Sequence, residues 1–127
     1  MGDYTVLSID DDQSARVLFQ IMLKRVGFEV IQAEDADEAL EKLATITPDL
    51  IITDIQLPGT SGIELTRILR TRPEFDQTAI IVLSAFQSEE TIQQALDAGA
   101  DEFMKKPLQM KDLEQRLGGV IAKRRLG

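Results

Sequence analysis

Two stretches of this chain are apolar at every position: Leu50-Ile51-Ile52 and Ile80-Ile81-Val82-Leu83. A strand with one face in water alternates apolar and polar residues, so these runs describe strands covered on both faces, as in a parallel sheet. Such strands need helices above and below, and the flanking sequence supplies them. Ala15, Leu18, Phe19, Met22, Leu23 and Val26 fall at the i, i+3, i+4, i+7 spacing of one buried helix face, and Gly27 follows as a C-terminal stop. Ala36, Ala39, Leu40, Leu43 and Ala44 repeat the pattern. The chain reads as five strand-then-helix units: strand 6–9 with helix 15–26, strand 29–33 with helix 36–44, strand 50–53 with helix 61–71, strand 80–83 with helix 91–98, and strand 102–104 with helix 110–124. Five strands are too few for a closed α/β barrel. Right-handed crossovers therefore restrict the chain to an α/β fold with a doubly wound five-stranded parallel sheet, a three-layer α/β/α sandwich.

The 127 residues fit a single domain, 1–127, with a core over about 4–124 and a short basic end, "AKRRLG", that reads either as a tail or as a frayed helix end. Cysteine and histidine are both absent, which removes disulfides, thiolate or imidazole metal sites and a Ser-His relay. Carboxylates, hydroxyls and lysines must carry any chemistry. A formal charge of −8 repels a nucleic-acid backbone and favours a cation or a cationic partner. No apolar run approaches the ~20 residues of a membrane span, and the N-terminus lacks the basic and apolar regions of a secretory signal, so a cytoplasmic setting is the default expectation.

In an open parallel sheet, ligands bind outside the carboxyl ends of the strands. Four strand ends here carry polar groups: Asp10, Asp11 and Asp12 after the first, Asp54 at the third, Ser84 at the fourth, and Lys106 with Pro107 after the fifth. Singly, each has an ordinary structural explanation. Asp12 suits a helix N-cap, Ser84 a turn hydroxyl, Lys106 a solvated surface. Together they form a pattern. If Asp10, Asp11, Asp54 and Lys106 share one pocket, three negative charges and one positive leave −2, and two like charges ~5 Å apart repel by about 3 kcal/mol at an effective dielectric of ~20. A divalent cation offsets this, and an all-oxygen donor set suits Mg²⁺ better than zinc. One carboxylate can then act as a nucleophile toward a phosphoryl group whose oxygens are stabilised by metal and lysine. Asp54 is the natural nucleophile, since it stands alone before a loop marked by Pro58, Gly59 and Gly62, whereas Asp10 and Asp11 come as a metal-holding pair.

The motifs "VLSIDDD", "LIITDIQLPGTSG", "IIVLSA" and "AGADEFMKKP" together resemble the receiver domain of bacterial two-component response regulators over nearly the whole chain. The resemblance implies flavodoxin-like strand order and phosphorylation of Asp54 by a phosphohistidine on a sensor histidine kinase or a histidine phosphotransfer protein. It further implies that Asp11, Asp54 and the backbone carbonyl of Gln56 ligate Mg²⁺ directly, while Asp10 acts through a metal-bound water. Lys106 would pair with the phosphoryl oxygens and Ser84 would be the switch hydroxyl. Phe103, standing where a tyrosine is frequent, would be the aromatic switch. Gln56 and Phe86 would tune hydrolysis, and Pro107 would position the lysine after a cis bond. Output would pass through the fourth helix, fifth strand and last helix to a downstream protein or to an effector domain outside these residues, with homodimerisation on phosphorylation a further option. Such a chain promotes only its own phosphorylation and dephosphorylation.

The enzyme alternative is a haloacid-dehalogenase-type phosphatase, which also uses a strand-end aspartate and Mg²⁺. That class places a second acid two residues after the nucleophile, where Gln56 stands here. A flavin binder would need a hydroxyl- and glycine-rich phosphate loop after the first strand, and "DDDQS" is neither. A receiver-like module that is never phosphorylated is the third alternative.

Overall fold

The computed structural model describes residues 4–86 and 88–126. The elements run β1 (Thr5–Ile9), α1 (Gln13–Val26), β2 (Glu29–Ala33), α2 (Ala36–Leu43), β3 (Leu50–Asp54), α3 (Gly62–Arg70), a 3₁₀ turn (Pro73–Phe75), β4 (Ala79–Ser84), α4 (Glu89–Ala98), β5 (Glu102–Lys105) and α5 (Met110–Leu126). The sheet is parallel throughout, in the order β2-β1-β3-β4-β5.

The unbroken apolar strands are explained by the two cores they separate. Leu50 and Ile52 of β3, with Ala79, Ile81 and Leu83 of β4, face a cluster closed by Phe19 and Leu23 of α1 and by Leu113, Leu117 and Ile121 of α5. Ile51, Ile80 and Val82 point the other way, onto Ala36 and Ala39 of α2, Leu65 and Leu69 of α3 and Ala95 of α4. Each fully buried Leu or Ile contributes about 1.5–3 kcal/mol, so a one-residue slip of either strand would exchange two complete sets of contacts.

Helix starts follow their caps. Asp12, Asp35, Ser61 and Ser88 each accept a hydrogen bond from a backbone N–H in the first turn of the helix they precede, satisfying a donor the helix itself cannot. Asp12 is thus the N-cap its position suggested. Gly27 ends α1 with φ of 107°, a left-handed conformation open to glycine at little cost. The basic end is helical as far as Leu126. Its Arg124 donates to the Asp76 carbonyl at 2.9 Å and pairs with Asp101, and Arg125 pairs with Asp49. Basic side chains also suit a helix C-terminus, so the last turn is held twice over.

Candidate functional site

The order in which strands are added reverses at β1, with β2 on one side of it and β3 to β5 on the other, so the crossovers diverge and leave a crevice at the carboxyl edge between β1 and β3. Asp10 follows β1 directly and Asp54 is the last residue of β3. Asp10 is only 2% exposed. Its Oδ2 accepts from Lys106 Nζ at 2.8 Å and its Oδ1 from the Asp12 N–H at 3.0 Å. The same ammonium donates to Asp54 Oδ2 at 2.9 Å, while Asp54 Oδ1 accepts from the Gln56 N–H at 3.2 Å. Asp11 is exposed, and among the described residues no hydrogen bond occupies its carboxylate. Oxygens of Asp10, Asp11 and Asp54 lie within 4.8 Å of one another.

Lys106 sits between two opposing influences. Burial disfavours its charge, but the hydrogen bonds and fields of Asp10 and Asp54 outweigh burial and hold the ammonium pKa above the ordinary lysine value. At neutral pH it is a fixed cation shared by two acids. With the three carboxylates ionised, the cluster carries −2 and consists entirely of oxygen donors at mutual distances one cation can span, which fits a hard divalent ion.

The loop after Asp54 approaches the strand end closely. A Cβ built on Gly62 would lie 2.1 Å from the Asp54 carbonyl oxygen, and the Gly62 N–H donates to the Ile55 carbonyl at 2.9 Å. Only a residue without a side chain allows α3 to begin against the backbone of Asp54. Thr66, buried, donates back to the Gly62 carbonyl at 2.8 Å and fixes that first turn.

Of the remaining sequence-assigned residues, Gln56 reaches the carboxylates through its backbone N–H, and among the described residues no hydrogen bond joins Ser84, Phe86 or Phe103 to them. Ser84 ends β4, is 5% exposed, and its Oγ accepts from the Phe86 N–H at 3.1 Å. Phe86 is 72% exposed. Phe103 in β5 is partly buried against the core beneath α2, α3 and α4. Gln56 is exposed beside Asp54, and Pro107 follows a cis peptide bond from Lys106.

Two residues that sequence reading passed over have structural roles. Arg16, one turn into α1, donates through Nη1 to the Asp10 carbonyl at 2.7 Å. Arg70 donates to the carbonyls of Gly99, Phe75 and Thr78 and to Asp101 Oδ2, tying α3, α4, β4 and β5 together at the amino edge of the sheet. Arg16 left no signal in the sequence, since its partner at the site is a backbone carbonyl. Arg70 offered none either, since most of its partners are backbone carbonyls.

A doubly wound α/β domain with three aspartates at its switch point, two of them bridged by a lysine, is the class these features define. A family model for the response regulator receiver domain matches residues 6–118, and the chain belongs to that family, whose function is that of a phosphoryl-accepting switch. It is 37% identical over 117 residues to the phosphate regulon transcriptional regulatory protein PhoB of Pseudomonas aeruginosa, covering 92% of this chain and 51% of that protein. To the KDP operon transcriptional regulatory protein KdpE of Escherichia coli it is 40% identical over 112 residues, 88% of this chain and 48% of KdpE. The chain thus spans about half the length of these curated relatives. Among solved structures, the chemotaxis response regulator CheY4 of Vibrio cholerae superposes with a TM-score of 0.86 at 32% identity, covering 92% of this chain and 98% of that one. A putative response regulator from Chloroflexus aurantiacus gives 0.88 at 29% identity, covering 94% and 98%. Receiver domains are phosphorylated by histidine kinases and are not classical enzymes. No helix among the described residues is long and apolar enough to cross a membrane.

Proposed function

We propose that Asp54 is the phosphoacceptor of a single receiver domain, and that its phosphorylation by a phosphohistidine donor changes the surface of α4, β5 and α5 that a partner protein reads. The observation that carries this reading is the Lys106 ammonium, 2.8 Å from Asp10 and 2.9 Å from Asp54, beside a third carboxylate that is free to bind a metal. Asp11, Asp54 and the Gln56 carbonyl would hold Mg²⁺, with Asp10 acting through water; Asp11 is the member of the trio whose carboxylate no hydrogen bond among the described residues occupies. When bound, the ion neutralises the acid cluster and the oxygens of the incoming phosphoryl group.

An Asp54 carboxylate oxygen attacks phosphorus in line with the leaving imidazole nitrogen: the O–P bond forms and the N–P bond breaks. Lys106 releases its bond to Asp54 and takes a phosphoryl oxygen, retaining Asp10. The new group carries about two negative charges and strong acceptor oxygens. The Ser84 hydroxyl, which now accepts from the Phe86 N–H, turns to donate to it, and Phe103 moves into the space beneath. Moving a 1% active population to 99% needs about 5.5 kcal/mol of preference, which the two new bonds from Ser84 and Lys106, at about 1.5–3 kcal/mol each, reach only at their upper limit, so a partly pre-activated resting state is expected. The donor is a sensor kinase or phosphotransfer protein in the cytoplasm. With a net charge of −8, the output is protein contact and not direct nucleic-acid binding.

Exposure to acetyl phosphate with and without Mg²⁺, followed by intact-mass measurement of wild type and Asp54→Ala, tests this. One phosphoryl group should be gained only by the wild type and only with metal. A gain in Asp54→Ala, or a modified peptide that excludes residue 54, refutes it.

A further inference from the structure

Asp11 is the exposed member of the acid trio, and no hydrogen bond among the described residues aims its carboxylate. Its direction is set by the backbone it projects from, and that backbone is held at defined points. The Asp10 N–H donates to the Ala33 carbonyl at 3.1 Å, and the Asp12 N–H to Asp10 Oδ1 at 3.0 Å. Between them lies the Asp10–Asp11 peptide, whose planarity ties the Asp10 carbonyl to the Asp11 N–H. The group holding that carbonyl is the Arg16 guanidinium, at 2.7 Å.

We infer that Arg16 is a positioning residue for the metal site: by fixing the Asp10–Asp11 peptide plane it keeps the Asp11 carboxylate turned toward Asp54. The inference rests on the phosphoacceptor reading above. Arg16 is itself secured. Its N–H donates to the Asp12 carbonyl at 3.0 Å, its carbonyl accepts from Gln32 Nε2, and the Gln32 carbonyl accepts from Lys42 Nζ. A contact line thus runs from α2 through β2 and α1 to the metal-binding turn. Glu34 is the guanidinium's other partner, at 3.9 Å and largely exposed, too loose to compete for it.

The alternative role is electrostatic, and it has the opposite sign. A positive charge near three aspartates opposes cation binding, so if charge alone mattered, removing Arg16 would tighten Mg²⁺. Loss of a positioning contact loosens it, and removing the partner that orients a metal ligand typically costs 10- to 100-fold in affinity. Isothermal titration of Mg²⁺ into the unphosphorylated full chain separates the two. Arg16→Ala should bind Mg²⁺ about tenfold more weakly than wild type, at the mild end of that range because the carbonyl contact acts on the ligand indirectly. Arg16→Lys, which keeps a charged donor on a shorter stem, should fall between them. Glu34→Gln, which leaves the Asp10 carbonyl contact intact, should stay within about twofold of wild type.

In acetyl phosphate reactions the half-saturating Mg²⁺ concentration should rise with Arg16→Ala by more than the rate at saturating metal falls. A purely structural weakening would not produce that split. Arg16→Ala binding Mg²⁺ as tightly as wild type, or more tightly, overturns the inference. Should Arg16→Ala fail to fold, as judged by circular dichroism, Arg16→Lys decides on the same criterion. A wild type that takes up Mg²⁺ and a phosphoryl group beside an unaffected Arg16 variant refutes this inference alone. A wild type that does neither refutes the phosphoacceptor reading as well.

Discussion

Replacing Gly62 by alanine tests the close approach at the acceptor strand with a single methyl group. The added Cβ would stand 2.1 Å from the Asp54 carbonyl oxygen, 3.0 Å from the Asp54 carbonyl carbon and 3.1 Å from Ile55 Cα, all backbone atoms. To regain ordinary contact at 3.4 Å, the two segments must separate by about 1.3 Å. Two hydrogen bonds resist that movement: Gly62 N–H to the Ile55 carbonyl and Ile55 N–H to the Leu83 carbonyl, each 2.9 Å. Overpacking of this kind costs about 1–3 kcal/mol and each weakened hydrogen bond about 1, against a gain of up to about 1 for alanine over glycine in a helix. The net expectation is a loss of about 2–4 kcal/mol. Because the displaced backbone belongs to the proposed phosphoacceptor, phosphorylation should also slow by up to about 10²-fold, the scale of a 1 Å misplacement. Gly119→Ala is the matched control. It lies inside α5 with nothing within 4 Å of its would-be Cβ, and should stabilise by about 0.5–1 kcal/mol. Urea unfolding followed by far-ultraviolet circular dichroism is the appropriate assay for a chain with one tyrosine and no tryptophan. A Gly62→Ala protein as stable as wild type, phosphorylated at the wild-type rate, would show that the approach is relieved without consequence and the reasoning is wrong.

Metal should act on stability as well as chemistry. At Mg²⁺ a hundredfold above its dissociation constant, thermal or urea unfolding of the wild type should show about 2.7 kcal/mol of added stability. Asp11→Asn should lose that gain, yet be at least as stable as wild type in chelator, because one repulsive charge is gone; equal metal responses in the two proteins would contradict the assigned ligand set. Arg70→Ala strands three backbone carbonyls and Asp101, and urea midpoints should report a loss of about 3 kcal/mol that Arg70→Lys, lacking the planar fork, does not restore. Phe86→Ser alters an exposed side chain whose backbone N–H donates to Ser84 Oγ, the proposed switch hydroxyl; the lifetime of the phosphorylated protein, followed by mass measurement after donor removal, should change, and an unchanged lifetime removes Phe86 from the residues proposed to tune hydrolysis.

Most of the architecture was legible because it rests on periodicity. The runs 50–52 and 80–83 required helices on both faces, and the juxtaposition of Asp10, Asp11, Asp54 and Lys106 follows once the strands are parallel and their carboxyl ends share an edge. Boundaries were less legible where caps act at a distance. The apolar pattern suggested residue 91 as the start of α4, whereas Ser88 begins it at Glu89, where two glutamates favour the positive end of the helix. The 3₁₀ turn Pro73–Phe75 is too short to carry a period, although Phe75 is fully buried. The basic end left two choices open because its partners, Asp49, Asp76 and Asp101, are distant in sequence. Arg16 was hidden for a related reason, and Gly62 was marked only as part of the loop after Asp54, without its contact. What each contacts is main chain, and a main-chain atom leaves no letter in the sequence.

The doubly engaged Lys106 has a consequence for which anions enter the crevice at all. Sulfate or free phosphate arriving without a counter-ion would have to pull the ammonium from a carboxylate while facing an excess of two negative charges, each opposing it by about 3 kcal/mol at ~5 Å. On the proposed reading, bystander anions would be turned away, and occupancy would fall to a group that bonds covalently to the acid once a divalent cation has offset that charge.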